Sequence, residues 1–258
     1  MIFADTHTHL YLDAFDDDRT DTVKRAIDKG VKYIFLPHID SQTTDALFAL
    51  SAAFPENCFP MAGLHPTSVK ENYRDELDHV ARLLETRKVF GVGEIGIDLY
   101  WDTTYRKQQE EALRIQFDMA LKYKLPVVIH TRNSFSEVLA VLKDYKSRGL
   151  RGVFHCFSGD YQNAKKAMDF GFYLGIGGVL TFKNSKLKEV VAKTGPEPLL
   201  LETDAPFLAP VPYRGKRSES GYIPIIATHL AQATGHTTEE IAAMTTANAL
   251  KLFQMEEL

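Results

Sequence analysis

Six side chains of metal-ligand type punctuate this chain: His7, His9, Glu94, His130, His155 and Asp204. The first two stand one residue apart in "MIFADTHTHLYLD", directly after a short apolar run. In an extended strand, residues two apart point to the same face, so both imidazoles can converge on one cation. Taken alone, the pair has a second reading, because histidines at a strand end also hydrogen-bond to nearby backbone. The dipeptide spacing does not choose between the two. The other four residues do, through where they fall in the chain.

Short apolar runs alternate with longer amphipathic stretches. Strands are expected over 1–5, 31–36, 59–64, 89–93, 126–130, 152–156, 172–177 and 198–202, which are rich in Val, Ile, Phe and Leu. Several are apolar nearly throughout, as strands buried on both faces are. Helices are expected over 17–29, 43–53, 74–87, 105–124, 134–147, 161–170, 184–193 and 222–234, with a C-terminal helix over about 238–252. Val23, Ala26 and Ile27 share a face of the first, and Gly30 follows as its C′ residue. Eight strands alternating with eight helices predict a (β/α)8 TIM barrel, class α/β, as a single domain over 1–258. An open doubly wound sheet is the weaker fit, since no GxGxxG follows the first strand and "GIGG" (175–178) lacks a P-loop Lys-Ser/Thr.

On that map His7 and His9 follow the first strand, Glu94 the fourth and Asp204 the eighth, while His130 and His155 end the fifth and sixth. In a barrel the carboxyl ends of the strands form one ring. Six imidazoles and carboxylates packed there without a cation would be poorly satisfied. A single catalytic zinc takes three protein ligands, so six suit a pair of divalent ions, with Glu94 as the bridge.

The totals narrow the function classes. A net charge of −4 argues against a protein that coats DNA with a basic surface, but not against an enzyme that grips phosphate through cations and a few arginines. Cys58 and Cys156 form no CxxC or Cys/His cluster, which disfavours structural zinc and fits a cytoplasmic location. No signal peptide is recognised and no apolar run approaches membrane-spanning length, so no membrane partner is expected. The long irregular stretch 205–221 follows the last strand and should lie across the barrel mouth. Its Arg214, Lys216 and Arg217 either guide an anionic substrate or are solvated loop charge.

The motifs "DTHTHL" (5–10), "GLHP" (63–66), "GEIGID" (93–98), "HTR" (130–132), "HCFSG" (155–159) and "ETDAPFLAP" (202–210) resemble, in order and over nearly the whole chain, the TatD family of metal-dependent deoxyribonucleases. That family belongs to the amidohydrolase-like barrels. The resemblance implies a two-metal hydrolase with His7, His9, Glu94, His130, His155 and Asp204 as metal ligands, and places His65 near the scissile phosphate. One departure stands out. The family often reads Arg-Gly-x-x-Asn-x-Pro after the last ligand strand, whereas "RGKRSES" carries Ser218 and Ser220 at the Asn and Pro positions.

The chemistry expected is phosphodiester hydrolysis by an exonuclease acting on DNA, with RNA as an open alternative, using Mg²⁺ or Mn²⁺ and with Zn²⁺ acceptable to the histidines. The protein is expected to be a monomer. Asp204, Glu94 and His65 are the catalytic candidates, and Arg132 and His65 the substrate-binding ones. His65 alternatively caps its "HP" turn, and Arg132 alternatively salt-bridges on the rim. Asp5, Asp98 and Glu202 are expected to orient ligands or loop backbone. His38 is a pocket candidate, His79, His229 and His236 are expected at the surface, and Cys156 in buried packing. Tyr100, Trp101 and Tyr105 either stack on a base or pack a loop. Two rivals remain: another metal-dependent hydrolase, of an ester or amide such as an aminoacyl ester, and a binding module without turnover. A lysine often bridges the metals in other amidohydrolases, and here Glu94 stands at that place.

Overall fold

The computed structural model describes residues 1–256. Its strands are β1 (Phe3–Asp5), β2 (Val31–Leu36), β3 (Cys58–Pro60), β4 (Val92–Asp98), β5 (Val127–Arg132), β6 (Gly152–Phe154), β7 (Tyr173–Ile176) and β8 (Leu199–Leu201). Its helices are α1 (Arg19–Asp28), α2 (Thr44–Ala53), α3 (Tyr73–Thr86), α4 (Arg106–Tyr123), α5 (Phe135–Leu142), α6 (Tyr161–Asp169), α7 (Leu187–Thr194), α8 (Ile223–Thr234) and α9 (Thr238–Phe253). All strand pairs are parallel, in the order β1-β2-β3 and β4-β5-β6-β7-β8.

Backbone bonds continue the ladder across both seams. Between β3 and β4, Ala62 N–H donates to Gly91 O and Gly93 N–H to Ala62 O. Between β8 and β1, Thr6 N–H donates to Leu201 O at 3.0 Å. Beyond the strands, Asp204 N–H donates to His7 O and His9 N–H to Ala205 O. The architecture is the α/β barrel that the alternating pattern predicts.

Strand parity divides the core. Ala4, Tyr33, Phe35, Phe59, Met61, Val128, Val153 and Leu200 alternate with outward residues such as Ile34 and Leu36 and fill the barrel. The inward set packs on Leu252 and Phe253 of α9, where Phe253 stacks on Phe35 with ring centroids 3.9 Å apart. The α9 side chains of Thr246 and Asn248 donate to the carbonyls of Ile2, Glu197 and Leu199, at the strands' amino ends. Thr237 and Glu240 form the capping box that starts α9. With that end plugged, the carboxyl ends are the open mouth.

Some boundaries differ from expectation. The fourth strand runs over 92–98 rather than 89–93, so Glu94 lies within it. Likewise β5 extends to Arg132, putting His130 inside it, and β6 stops at Phe154, leaving His155 just beyond. Gly30 follows α1 with φ +89°, the left-handed conformation that ends a helix without Cβ strain.

Candidate metal centre

Glu94 is the hub. Its side chain is buried in β4, and its two oxygens face different partners. Oε2 lies 3.1 Å from His7 Nε2 and 3.4 Å from His9 Nε2. Oε1 lies 2.8 Å from His130 Nδ1, 3.1 Å from His155 Nε2 and 3.2 Å from His65 Nε2. Asp204 Oδ1 approaches His7 Nε2 at 3.8 Å and His9 Nε2 at 3.7 Å. Thus all six sequence-predicted ligands and His65 meet at the carboxyl mouth, although they come from positions 7 to 204 of the chain.

The outer nitrogens of these rings reveal which inner nitrogens hold lone pairs. Tyr11 donates its O–H to Pro37 O, so it accepts from His9 Nδ1 at 2.9 Å and leaves Nε2 of His9 unprotonated. Asp98 Oδ2 takes the Nε2–H of His130 at 2.9 Å, which turns the Nδ1 lone pair toward Glu94. His155 Nδ1 lies 3.3 Å from Glu202 Oε1, which favours the proton on that side. Glu202 Oε1 also accepts Cys156 N–H at 2.6 Å, holding the residue after the ligand at φ +47°. Asp5 accepts Thr203 N–H at 2.9 Å, Thr203 O–H at 2.6 Å and His7 N–H at 3.4 Å, tying the start of β1's loop to the end of β8's.

Imidazoles gathered on one buried carboxylate need positive charge between them, supplied by protons or by a cation. The donor spacing fits a metal. With bonds of about 2.0–2.1 Å, tetrahedral ligand atoms sit about 3.3 Å apart. The His7, His9 and Glu94 Oε2 atoms are 3.1, 3.2 and 3.4 Å apart in pairs. Three groups of donors close enough to hold an ion occur among the described residues: His7, His9 and Glu94; His7, His155 and Asp204; and His65, Glu94 and His130. Of the third, His65 is the exception in chemistry. Its Nδ1 accepts Thr67 N–H at 3.1 Å as the cap of a short turn, so its proton sits on Nε2. It presents an N–H donor to the centre rather than a lone pair, and it caps its turn as well.

Electrostatics follow from the same contacts. Burial raises the carboxyl of Glu94, but His65, His155 and His7 outweigh it and hold the group well below the ordinary range. Burial opposes charge on His155, yet Glu94 and Glu202 raise it well above the usual imidazole value. Burial, reinforced by the charge on His155, lowers His7 well below that value. Asp204 is pushed up to about 6 by burial.

Several residues sit elsewhere than expected. His38 is buried, with Nδ1 on Gly63 O at 2.7 Å and Nε2 on Thr44 Oγ1 at 2.9 Å, so it lines no open pocket. His79 in α3 is half-buried and meets the same Thr44 hydroxyl at 2.8 Å. Arg217 is no free guide: it grips Asp18 through both oxygens at 2.7 Å, donates to Ala14 O and covers the Phe15 ring. Arg25 bonds Glu219 at 2.7 Å beside it. These ion pairs hold the 205–221 strap, in which Ser218 is buried with an unpartnered Oγ. Cys156 is half-buried, not packed inside a strand.

A family model described as "TatD related DNase" matches residues 4–254. This chain belongs to the TatD family. The metal-dependent hydrolase YabD of Bacillus subtilis is 36% identical over 99% of this chain and 100% of its own. The relative named 3′-5′ ssDNA/RNA exonuclease TatD, of Salmonella typhimurium, is 30% identical over 97% of this chain and 98% of its own. The crystal structure of the TatD homologue YjjV of Escherichia coli matches with a TM-score of 0.92 at 30% identity, covering 98% of both chains. As a TatD-family metal-dependent hydrolase, the chain uses Tyr11 in a way that sequence reading missed. Its only signal is its spacing, two residues beyond His9 on the same face.

Proposed function

We propose that this protein is a two-metal phosphodiesterase that shortens a nucleic acid strand from one end, with DNA as the leading substrate. The observation that carries the reading is the division of Glu94, one oxygen toward His7 and His9 and the other toward His130 and His155. A single ion could reach only one of those two donor sets. The reading is supported by the Salmonella relative named as an exonuclease.

His7, His9 and Asp204 would hold one ion, His130 and His155 the other, and Glu94 would bridge them. When bound, the pair supplies Lewis acidity to phosphate oxygens and acidifies a water to near neutral pH. Mg²⁺ or Mn²⁺ suits the phosphate-facing side, and the imidazoles also accept Zn²⁺. The chain's own groups do the rest. Asp204, whose Oδ1 lies 3.8 Å from His7 Nε2 and 3.7 Å from His9 Nε2, stands where it can take a proton from a water held at the centre. His65 aims its Nε2–H at the centre, where it can donate to a phosphate oxygen or the leaving group. Arg132 has no carboxylate partner among the described residues and is free to ion-pair with phosphate. Asp98, Glu202 and Tyr11 fix ring orientation, which limits reorganisation during the reaction. The two cysteines are free, which fits cytoplasmic work, and we propose a monomer acting on DNA without a membrane.

The test is end-labelled single- and double-stranded DNA, RNA and model esters, each with Mg²⁺, Mn²⁺, Zn²⁺ or EDTA. Progressive shortening with metal, absent in EDTA and in Glu94→Gln, is expected. Nucleic acids left intact under every metal while an ester is hydrolysed would replace this reading with esterase chemistry.

A further inference from the structure

The mouth carries two exposed aromatic rings that the hydrolytic groups do not use. Tyr100 and Trp101 follow β4 and are 53% and 69% exposed. Their rings meet edge to face at 4.8 Å. The Arg132 guanidinium lies 3.9 Å from the Tyr100 centroid and 5.0 Å from the Trp101 centroid. Tyr105, by contrast, turns its ring inward against the core and bonds Glu71. An exposed Trp–Tyr pair outside the hydrophobic core leaves its ring faces available to a ligand.

The pair is rigidly keyed to the reactive centre. Asp98 spends one oxygen on His130 Nε2–H and the other on the backbone N–H groups of Tyr100, at 2.9 Å, and Trp101, at 3.3 Å. One carboxylate therefore sets both a ligand ring and the aromatic loop. Arg132 lies two residues after His130 in β5, on the same side of the strand. The cation, the two rings and the ligand histidine form one continuous assembly.

We infer that Tyr100, Trp101 and Arg132 form a platform that stacks an unpaired base of a single-stranded nucleic acid while its phosphate meets the metal centre. This rests on the nuclease reading and adds its strand preference. The chemistry selects the occupant. Any base offers a π-face to an aromatic ring, the guanidinium adds cation–π attraction, and its N–H groups donate to the oxygens of the adjoining phosphate. A paired end buries its bases in its own stack and gives the rings less to hold.

Trp101 is the sole tryptophan of the chain, so its fluorescence reports the platform directly. Metal-loaded protein is titrated with phosphorothioate oligothymidylate, which resists cleavage, and with a blunt duplex of the same linkage. Quenching by the single strand at lower concentration than by the duplex is expected. Labelled-strand anisotropy should show Trp101→Ala and Tyr100→Ala each weakening single-strand binding about 5- to 100-fold, the loss that removing a base–aromatic stack brings. Both rings are exposed, so neither change should unfold the protein. Tyr100→Phe should restore binding if the ring face is what matters. Unquenched Trp101 fluorescence, or wild-type affinity in both alanine variants, overturns the platform even in a protein that degrades DNA. Quenching in a protein that cleaves no nucleic acid under any metal would instead sink the nuclease reading and leave the platform standing.

Discussion

A single methyl group at Gly175 should disturb the His155 side of the candidate metal centre from outside it. Gly175 lies in β7, and a Cβ there would fall 2.1 Å from Glu202 Oε2, 2.8 Å from its Cδ and 3.2 Å from His155 Cα. Rotating the carboxylate cannot relieve this, because the carboxyl carbon itself is inside contact distance. Nor can Glu202 swing to solvent, since it is fully buried and its other oxygen holds Cys156 N–H. Gly175→Ala must therefore displace Glu202 from His155. Overpacking of this kind costs about 1–3 kcal/mol. At about 2–4 °C per kcal/mol for a chain of this size, Tm should fall by roughly 2–12 °C. Disturbing a group that orients a ligand histidine should also weaken metal binding about 10- to 100-fold. Calorimetric metal titration and thermal unfolding, each on wild type and variant, measure both losses. A Gly175→Ala protein with wild-type Tm and wild-type metal affinity would refute the view that Glu202 positions His155.

Glu94→Gln should reduce bound metal per chain, measured by elemental analysis after gel filtration, because the carboxylate at the hub of the histidines loses its charge and one acceptor. Chelation of metal-loaded protein should lower Tm, and restoring an ion at about a hundred times its Kd should return about 3 kcal/mol of stability. His38 is held neutral by burial, with its folded pKa lowered to about 4. The unfolded chain then binds the extra proton between about pH 6.5 and 4, so stability is lost as pH falls through that window, by about 3 kcal/mol at most. Denaturant midpoints from pH 7 to 4.5 should slope less in His38→Gln. Arg217 holds Asp18 well below the usual carboxylate range, stability that is present above pH 3.8 and lost as pH falls toward the folded value. Arg217→Ala should reduce that acid dependence, leaving the part that Arg25 supplies, and cost about 1 kcal/mol, since the pair is partly exposed.

Sequence patterning carried the barrel, because strands covered on both faces read as apolar runs and helices show a repeating buried stripe. The convergence of these six side chains was legible because imidazoles and acids fall at the ends of those runs. What escaped had physical reasons. In "GVGEIGID" the glycines blur the strand edge, so the apolar run starts the strand three residues before β4 does and leaves Glu94 beyond its end. Nothing local distinguishes His38, satisfied by Gly63 and Thr44, from a histidine facing a pocket. Arg217 looked free because its partner Asp18 is 199 residues away in sequence. The proton positions on His9 and His65 depend on Tyr11 and Thr67, whose importance emerges only from their contacts.

The seam between β8 and β1 has a consequence for biosynthesis. His7 accepts the backbone N–H of Asp204, and His9 donates to Ala205. During translation, the first two histidines emerge almost two hundred residues before the acid that completes their cage. A nascent chain therefore lacks Asp204's contribution until its final strand has docked, and premature termination before that strand yields a product with an incomplete centre.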